Sequence, residues 1–350
     1  MKTLLILQAV RVLLLTGISF LVALLLTPIL DTLLRKYKIG KQIRASTDAP
    51  IYSGMHAQKA GTPTMGGIII WLTVIGLAFI FLLLSKLFDG PFAYLDFIDR
   101  AQTYLPIAAM ILAALLGFVD DLLGVFKIGS NGGGLKMRHK LLIYTCIAAL
   151  GAWWFYFKLD WTTLYIPFVG FLEIGFWYFP LFMFIIIASA FSANETDGLD
   201  GLLAGVSLFA FGALAVVAFY LGRYDLAAFD AMIVGALLAF LWFNIYPARF
   251  FMGDTGSMAL GITMGVIAML TNSALFLPFF VIIPVIESLS VLIQMVSKKI
   301  FKKKIFLSTP IHHHFEAVGW PETQVTMRFW IISAVMCGLG LVLFFLSQFF

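Results

Sequence analysis

The chain has 350 residues, of which 62% are hydrophobic and only 12% charged, with a formal net charge of +5. That composition excludes a soluble globular domain of this size, and apolar runs of about 20 residues recur along the whole length. The runs are continuous rather than alternating, which excludes a transmembrane β-barrel, and the two cysteines, Cys146 and Cys337, lie inside apolar runs, so no disulfide framework is implied.

In chain order the apolar runs predict about ten membrane-spanning helices in a single domain covering 1–350: Leu4–Leu30, Gly66–Leu84, Tyr104–Leu123, Leu141–Phe157, Phe176–Ser192, Leu202–Leu221, Leu226–Ile245, Met258–Thr271, Leu275–Val296 and Phe329–Leu346. The first run has no small-residue cleavage site after it and reads as a retained span rather than a removed signal. Pro278 and Pro284 predict a kinked or broken ninth span. Glu287, inside that span, is an intramembrane acid, read as a structural partner.

Lysine and arginine gather in cytoplasmic loops. Alternate loops hold 17 of the 23, including Arg35, Lys36, Lys38, Lys41, Arg44, Lys59, Lys127, Lys136, Arg138, Lys140, Arg249, the run Lys298–Lys304 and Arg328. With ten spans, this places both termini outside the cytoplasm. The Lys298–Lys304 run reads as an anchor to anionic lipid headgroups.

The same loops carry the dense chemistry. His56-Ala57-Gln58-Lys59-Ala60-Gly61-Thr62-Pro63-Thr64-Met65-Gly66-Gly67 resembles a small phosphate-contacting loop without the spacing of a P-loop. Asp120-Asp121 places two adjacent carboxylates at the end of the third span, where the helix dipole disfavours them. Magnesium suits such a place, since it takes one or two carboxylates together with substrate phosphates and waters. Asn194-Glu195-Thr196-Asp197-Gly198-Leu199-Asp200-Gly201 sets acids, an amide and glycines between two nearly uncharged runs, a segment for a phosphorylated ligand, a metal or both. Its plain alternative is a polar turn between helices. Asp254, in Phe251-Met252-Gly253-Asp254-Thr255-Gly256-Ser257, opens the eighth span, with a capping role as the alternative. Three consecutive histidines, His312, His313 and His314, cannot all face one ion in a regular element, so polar and phosphate contacts suit them better than a metal. A transporter would set ionisable groups near the bilayer midplane; here they gather at one face, which favours an enzyme at the cytoplasmic membrane surface.

Taken together and in this order, Lys59–Gly67, Asp120-Asp121, Asn194–Gly201, Phe251–Ser257 and Pro310-Ile311-His312-His313-His314-Phe315-Glu316 resemble the phospho-N-acetylmuramoyl-pentapeptide transferases, within the polyprenyl-phosphate N-acetylhexosamine-1-phosphate transferase superfamily. The resemblance covers essentially the whole chain, and the triple histidine with its flanks is its most specific mark. It implies an all-α polytopic protein of the bacterial inner membrane, with its cleft on the cytoplasmic face. The implied reaction moves phospho-N-acetylmuramoyl-pentapeptide from UDP to undecaprenyl phosphate, giving lipid I and UMP with Mg2+ required, the first membrane step of peptidoglycan synthesis. It also implies a homodimer among membrane lipids, with no nucleic acid as partner.

On this resemblance the catalytic residues are Asp120, Asp121, Asp254 and His313. Asp254 would bind magnesium with Asp121 or Asp120, and one of the pair would deprotonate or position the lipid phosphate. Asn194, Asp197, Gly198, Leu199 and Asp200 would hold the uridine part, with Asn244 and Phe251 also at nucleoside-contacting positions and Phe251 able to stack on uracil. Lys59, Thr64, Lys140, His312, His313 and His314 would meet the diphosphate and sugar, Lys140 being favoured over Lys136. Direct attack and a covalent aspartyl intermediate both remain open. The alternatives are transfer of N-acetylglucosamine-1-phosphate to a polyprenyl phosphate, and a transporter or flippase.

Overall fold

The computed structural model describes residues 2–40, 59, 61–88, 90–129 and 133–349. Lys41, Arg44, His56–Gln58, Ala60 and the Ser130–Gly132 part of the glycine-rich loop lie outside the described residues. The helices are α1 (Lys2–Lys36), α2 (Ile68–Leu87), α3 (Pro91–Leu95), α4 (Tyr104–Val125), α5 (Met137–Lys158), α6 (Tyr178–Thr196), α7 (Leu202–Tyr220), α8 (Tyr224–Asn244), α9 (Asp254–Leu270), α10 (Leu277–Phe280), α11 (Ile282–Ile300), α12 (Ile311–Ala317) and α13 (Glu322–Ser347). Each of the ten predicted spans falls on a helix. Among the described residues eight helices are long and apolar enough to cross a membrane: α1, α2, α4, α5, α6 with its preceding turn, α7, α8 and α13. The ninth predicted span breaks at Val281 into α10 and α11, in keeping with Pro278 and Pro284. A two-stranded antiparallel hairpin, β1 (Thr163–Ile166) and β2 (Gly170–Glu173), joins α5 to α6 and was not foreseen.

The centre of the bundle is α9. Its 17 residues would span about 26 Å at 1.5 Å per residue, short of a bilayer core. It has no need to span alone, because every residue from Thr255 to Leu270 is buried by neighbouring helices. Small residues allow the close approach that membrane helices use in place of a hydrophobic drive. A Cβ at Gly261 would stand 2.7 Å from the Ser189 carbonyl of α6, and one at Gly117 of α4 would stand 2.3 Å from the Asp254 carbonyl. Around this core α1 packs on α8, where Ser19 Oγ donates to the Met232 carbonyl at 2.7 Å. The outward faces of α1, α4, α5 and α13 stay apolar and exposed, as lipid-facing helices must.

Chain alternation then puts one set of ends together. The C-terminal ends of α4, α6 and α8 and the N-terminal ends of α5, α7, α9 and α13 share one end of the bundle, and the β1–β2 hairpin lies at the other.

Candidate active site

The site starts from a backbone clasp. Gly66 N donates to the Phe251 carbonyl at 2.8 Å, Gly67 N to the Met252 carbonyl at 2.9 Å, and Phe251 N to the Pro63 carbonyl at 2.8 Å. The loop before α2 is thereby stitched to the loop before α9, and no side chain fits between them: a Cβ at Gly67 would lie 2.4 Å from Gly256 Cα. Gly253 turns the chain into α9 with φ of +76°, and a Cβ there would press on the Asp121 carboxylate at 2.6 Å. The cap of α9 therefore comes neither from Asp254 nor from the hydroxyls beside it. Asp121 of α4 supplies it across the interface, accepting from Thr255 N at 3.0 Å. A carboxylate at a helix N-terminus meets both unpaired N–H groups and the positive end of the dipole. Thr255 is locked in turn, donating from Oγ1 to the Ala114 carbonyl at 2.9 Å and accepting from Trp71 Nε1 at 3.1 Å.

Asp120 and Asp254 face each other across this junction, their carboxylates within hydrogen-bonding range. Lys140 of α5 reaches between them, 2.9 Å from Asp120 Oδ2 and in contact with Asp254 Oδ2. Asp254 Oδ1 takes a hydrogen bond from Asn194 Nδ2 at 2.6 Å, and Asp120 Oδ1 one from Leu135 N. Lys136, by contrast, is exposed. Among the described residues no three acids, histidines or cysteines form a closed metal site.

A second cluster surrounds Lys59. Its ammonium lies 2.6 Å from Asp200 and 2.5 Å from Glu322, with the rings of Tyr246 and Phe251 at 5.9 and 5.8 Å. Burial works against this charge, but Glu322 and Asp200 outweigh it and hold the Lys59 pKa above its ordinary value. Asp200 also accepts from Ala248 N at 3.0 Å, and its own N–H donates to Glu322 at 2.7 Å. Asn244 ties the neighbouring turns together, accepting from Gly201 N at 3.0 Å and donating to the Phe250 carbonyl at 2.8 Å. Sequence reading missed Glu322. Its signal was an acid after Pro321 at the head of an apolar run, a helix-start pattern.

The histidines point three ways along α12. His312 is fully buried with Nδ1 3.0 Å from the Glu287 carboxylate, at ion-pair distance without hydrogen-bond alignment. Burial disfavours its charged form, yet Glu287 holds its pKa above the ordinary 6.5. His313 pairs with Glu316 at 2.7 Å, and His314 accepts from Leu307 N at 3.2 Å. Gly198 lies against the His312 ring, which a Cβ would strike at 2.2 Å. Asp197 stands half-buried at the end of α6, while Leu199 and Thr64 are buried.

The sequence candidates thus fall into three adjoining groups at one end of the bundle: Asp120, Asp121, Lys140, Asn194 and Asp254; Lys59, Asp200, Asn244 and Phe251; and Asp197, Gly198 and His312–His314. Two half-buried ammonium groups beside acids and an aromatic face make a surface for an anionic ligand with a planar part.

Residues 104–272 match the model of glycosyl transferase family 4, and residues 59–70 match signature 1 of phospho-N-acetylmuramoyl-pentapeptide-transferase. The chain is 39% identical over 329 residues to the phospho-N-acetylmuramoyl-pentapeptide-transferase of Geobacillus sp. (strain WCH70), covering 93% of this chain and 95% of that protein. It is 38% identical over 322 residues to the protein of the same name from Clostridium perfringens (strain 13 / Type A), with 91% and 94% covered.

Proposed function

The chain belongs to the phospho-N-acetylmuramoyl-pentapeptide-transferase family, and from that premise we infer that it moves phospho-N-acetylmuramoyl-pentapeptide from its UDP carrier to undecaprenyl phosphate. It is a multi-pass enzyme of the bacterial inner membrane. The observation that carries the site assignment is the Asp120–Lys140–Asp254 junction seated on the Asp121-capped start of α9. The excess of lysine and arginine in the loops of this end supports a cytoplasmic site.

In this reading an oxygen of the lipid phosphate bonds to the sugar-bearing β-phosphorus, the bond from that phosphorus to the bridging oxygen breaks, and UMP leaves with the electron pair. Both reactants are anions, so positioning and cationic groups dominate over a protein nucleophile. Lys140 and Lys59 are the ammonium groups nearest to hand; each is now neutralised by acids and can turn a donor toward phosphate. Phe251, half-buried beside Lys59, offers a face to the uracil, with Asn194 and Asp197–Asp200 around the nucleoside. The three histidines border the sugar and diphosphate.

The donor set fits magnesium. Asp120 and Asp254 converge on one point, where the Lys140 ammonium now stands between them, and hard oxygens from one or two carboxylates plus substrate phosphates suit this ion. Asp254, with Asp121 and Asp120, would hold it, and when bound it would neutralise charge on the diphosphate.

The test is UMP release in detergent with and without undecaprenyl phosphate, run with both UDP-N-acetylmuramoyl-pentapeptide and UDP-N-acetylglucosamine. Acceptor-dependent UMP from the first nucleotide alone is expected. UMP from the second alone would move the chain to the N-acetylglucosamine branch, and no UMP from either would sink the transferase reading. UMP formed without acceptor, in an amount matching the enzyme, would mark a covalent aspartyl step in place of direct attack.

A further inference from the structure

Glu322, Thr326 and Trp330 follow one another along α13 at four-residue spacing and so share a helix face. All three hold the turn after α6. Glu322 Oε1 accepts from Asp200 N at 2.7 Å, Thr326 Oγ1 donates to the Asp200 carbonyl at 3.4 Å, and Trp330 Nε1 donates to the Gly201 carbonyl at 3.1 Å. Asp200 Oδ2 adds a fourth tie by accepting from Ala248 N at 3.0 Å. Three of these four ties do without Glu322. What Glu322 alone brings is a second carboxylate on Lys59.

An ammonium has three N–H donors and no acceptor. Lys59 places one on Asp200 Oδ1 at 2.6 Å and one on Glu322 Oε1 at 2.5 Å. The two carboxylates stand on different elements, so together they stop the long side chain from turning about either one. Tetrahedral geometry then fixes the direction of the third N–H, which no group among the described residues takes. The rings of Phe251 and Tyr246 lie 5.8 and 5.9 Å from this ammonium. Held by Asp200 alone, the lysine would pivot on one contact and an arriving ligand would have to order it. Ordering one long side chain at the moment of binding weakens affinity by about twofold to tenfold.

We propose that Glu322 is a positioning residue that aims the third N–H of Lys59 at an acceptor oxygen of the nucleotide lying over the Phe251 ring. The inference rests on the site reading above and adds to it a residue outside the family motifs quoted for this chain. Uracil, ribose and phosphate each carry such an oxygen, and what they share is an acceptor for a charged donor. Gln324 provides the contrast. It is half-buried two positions further along α13, a spacing that turns it away from the Glu322 face.

The experiment is a double-mutant cycle on the UMP affinity of the full-length protein in detergent, read by calorimetry. Glu322→Ala should weaken UMP binding by about twofold to tenfold in the wild-type background and leave it unchanged once Lys59→Met is present. Glu322→Asp keeps the charge but shortens the reach, and it should behave in the same way if the alanine variant does not fold. Gln324→Ala should bind UMP as wild type does. Uridine and inorganic pyrophosphate, titrated separately, tell which oxygen is met: the probe that loses the same factor carries it. Equal weakening by Glu322→Ala with and without Lys59 would mark a merely structural role and overturn the proposal. So would an unchanged UMP affinity in both Glu322 variants. Wild-type protein that binds UMP but releases none from the UDP substrate would refute the transferase reading, while the cycle would still judge Glu322.

Discussion

Gly117→Ala asks whether the site depends on the closeness of α4 and α9. The added methyl would stand 2.3 Å from the Asp254 carbonyl oxygen, 2.5 Å from its carbon and 2.6 Å from Thr255 N. All three are backbone atoms, so no side chain can swing aside. Ordinary contact begins near 3.4 Å, and the two helices must part by about 1 Å. That opening displaces the Asp254 carboxylate from Lys140 and Asn194 and draws Thr255 N away from Asp121. Overpacking of this kind destabilises by about 1–3 kcal/mol, against a gain of about 0.5–1 kcal/mol from replacing glycine in a helix. A misplacement of about 1 Å at a reacting centre lowers turnover by about a hundredfold. The expected result is a kcat for UMP release down by about two orders of magnitude, with a melting temperature lowered by only a few degrees. Gly124→Ala, on the same helix with nothing within 4 Å of its Cβ position, is the control and should stay near wild type. Turnover of Gly117→Ala within threefold of wild type, or equal damage from Gly124→Ala, would refute the reasoning.

Asp254→Asn and Asp121→Asn should each cut kcat by about 10²–10³-fold or more with folding retained, as judged by size exclusion and melting. Chelation of divalent cations should stop UMP release, and added magnesium should restore it; activity that survives exhaustive chelation would exclude the assigned role of the three acids. Lys59→Met leaves Asp200 and Glu322 buried without their cation and should destabilise by about 3–5 kcal/mol in denaturant unfolding, with Glu322→Gln added to it recovering part of the loss but no activity. The His312 pKa is held above 6.5 by Glu287, so the pair's stabilisation is complete below about pH 6.5 and fades as pH rises through the raised value. Melting temperature should therefore fall as pH is raised across that window in wild type. Glu287→Gln should melt lower at acid pH and lose that slope.

The helical elements behind the ten predicted spans were legible, eight of them long and apolar enough to cross a membrane, because a bilayer imposes a length on an apolar run that does not depend on the partners a helix later finds. The β1–β2 hairpin was not legible. Four-residue strands such as Thr163–Ile166 carry too little alternation to stand out from aromatic loop sequence. Nor could composition tell that α9 is an interior helix, since burial on all sides and exposure to lipid select the same residues. The histidines were readable as three separate contacts, because neighbouring side chains on a helix point about 100° apart. Their partners Glu287 and Glu316 came only with the fold.

The candidates read from sequence share one trait: each stands in a short polar island within apolar sequence. Glu322 lacks it, opening an apolar helix as any capping acid would. What brings it to the site is helix packing. Glu322 begins the helix whose Trp330 ring fits over Gly205, where a Cβ would stand 2.0 Å from the indole nitrogen. That fit, with Trp330 Nε1 donating to the Gly201 carbonyl at 3.1 Å, fixes α13 against the Asp200 turn and so delivers Glu322 to Lys59. Gly205→Ala should accordingly damage the Lys59 cluster from within the bundle, without touching any polar residue. A fall in both melting temperature and kcat is expected, and an unchanged kcat would show that Glu322 reaches Lys59 without the Trp330 contact.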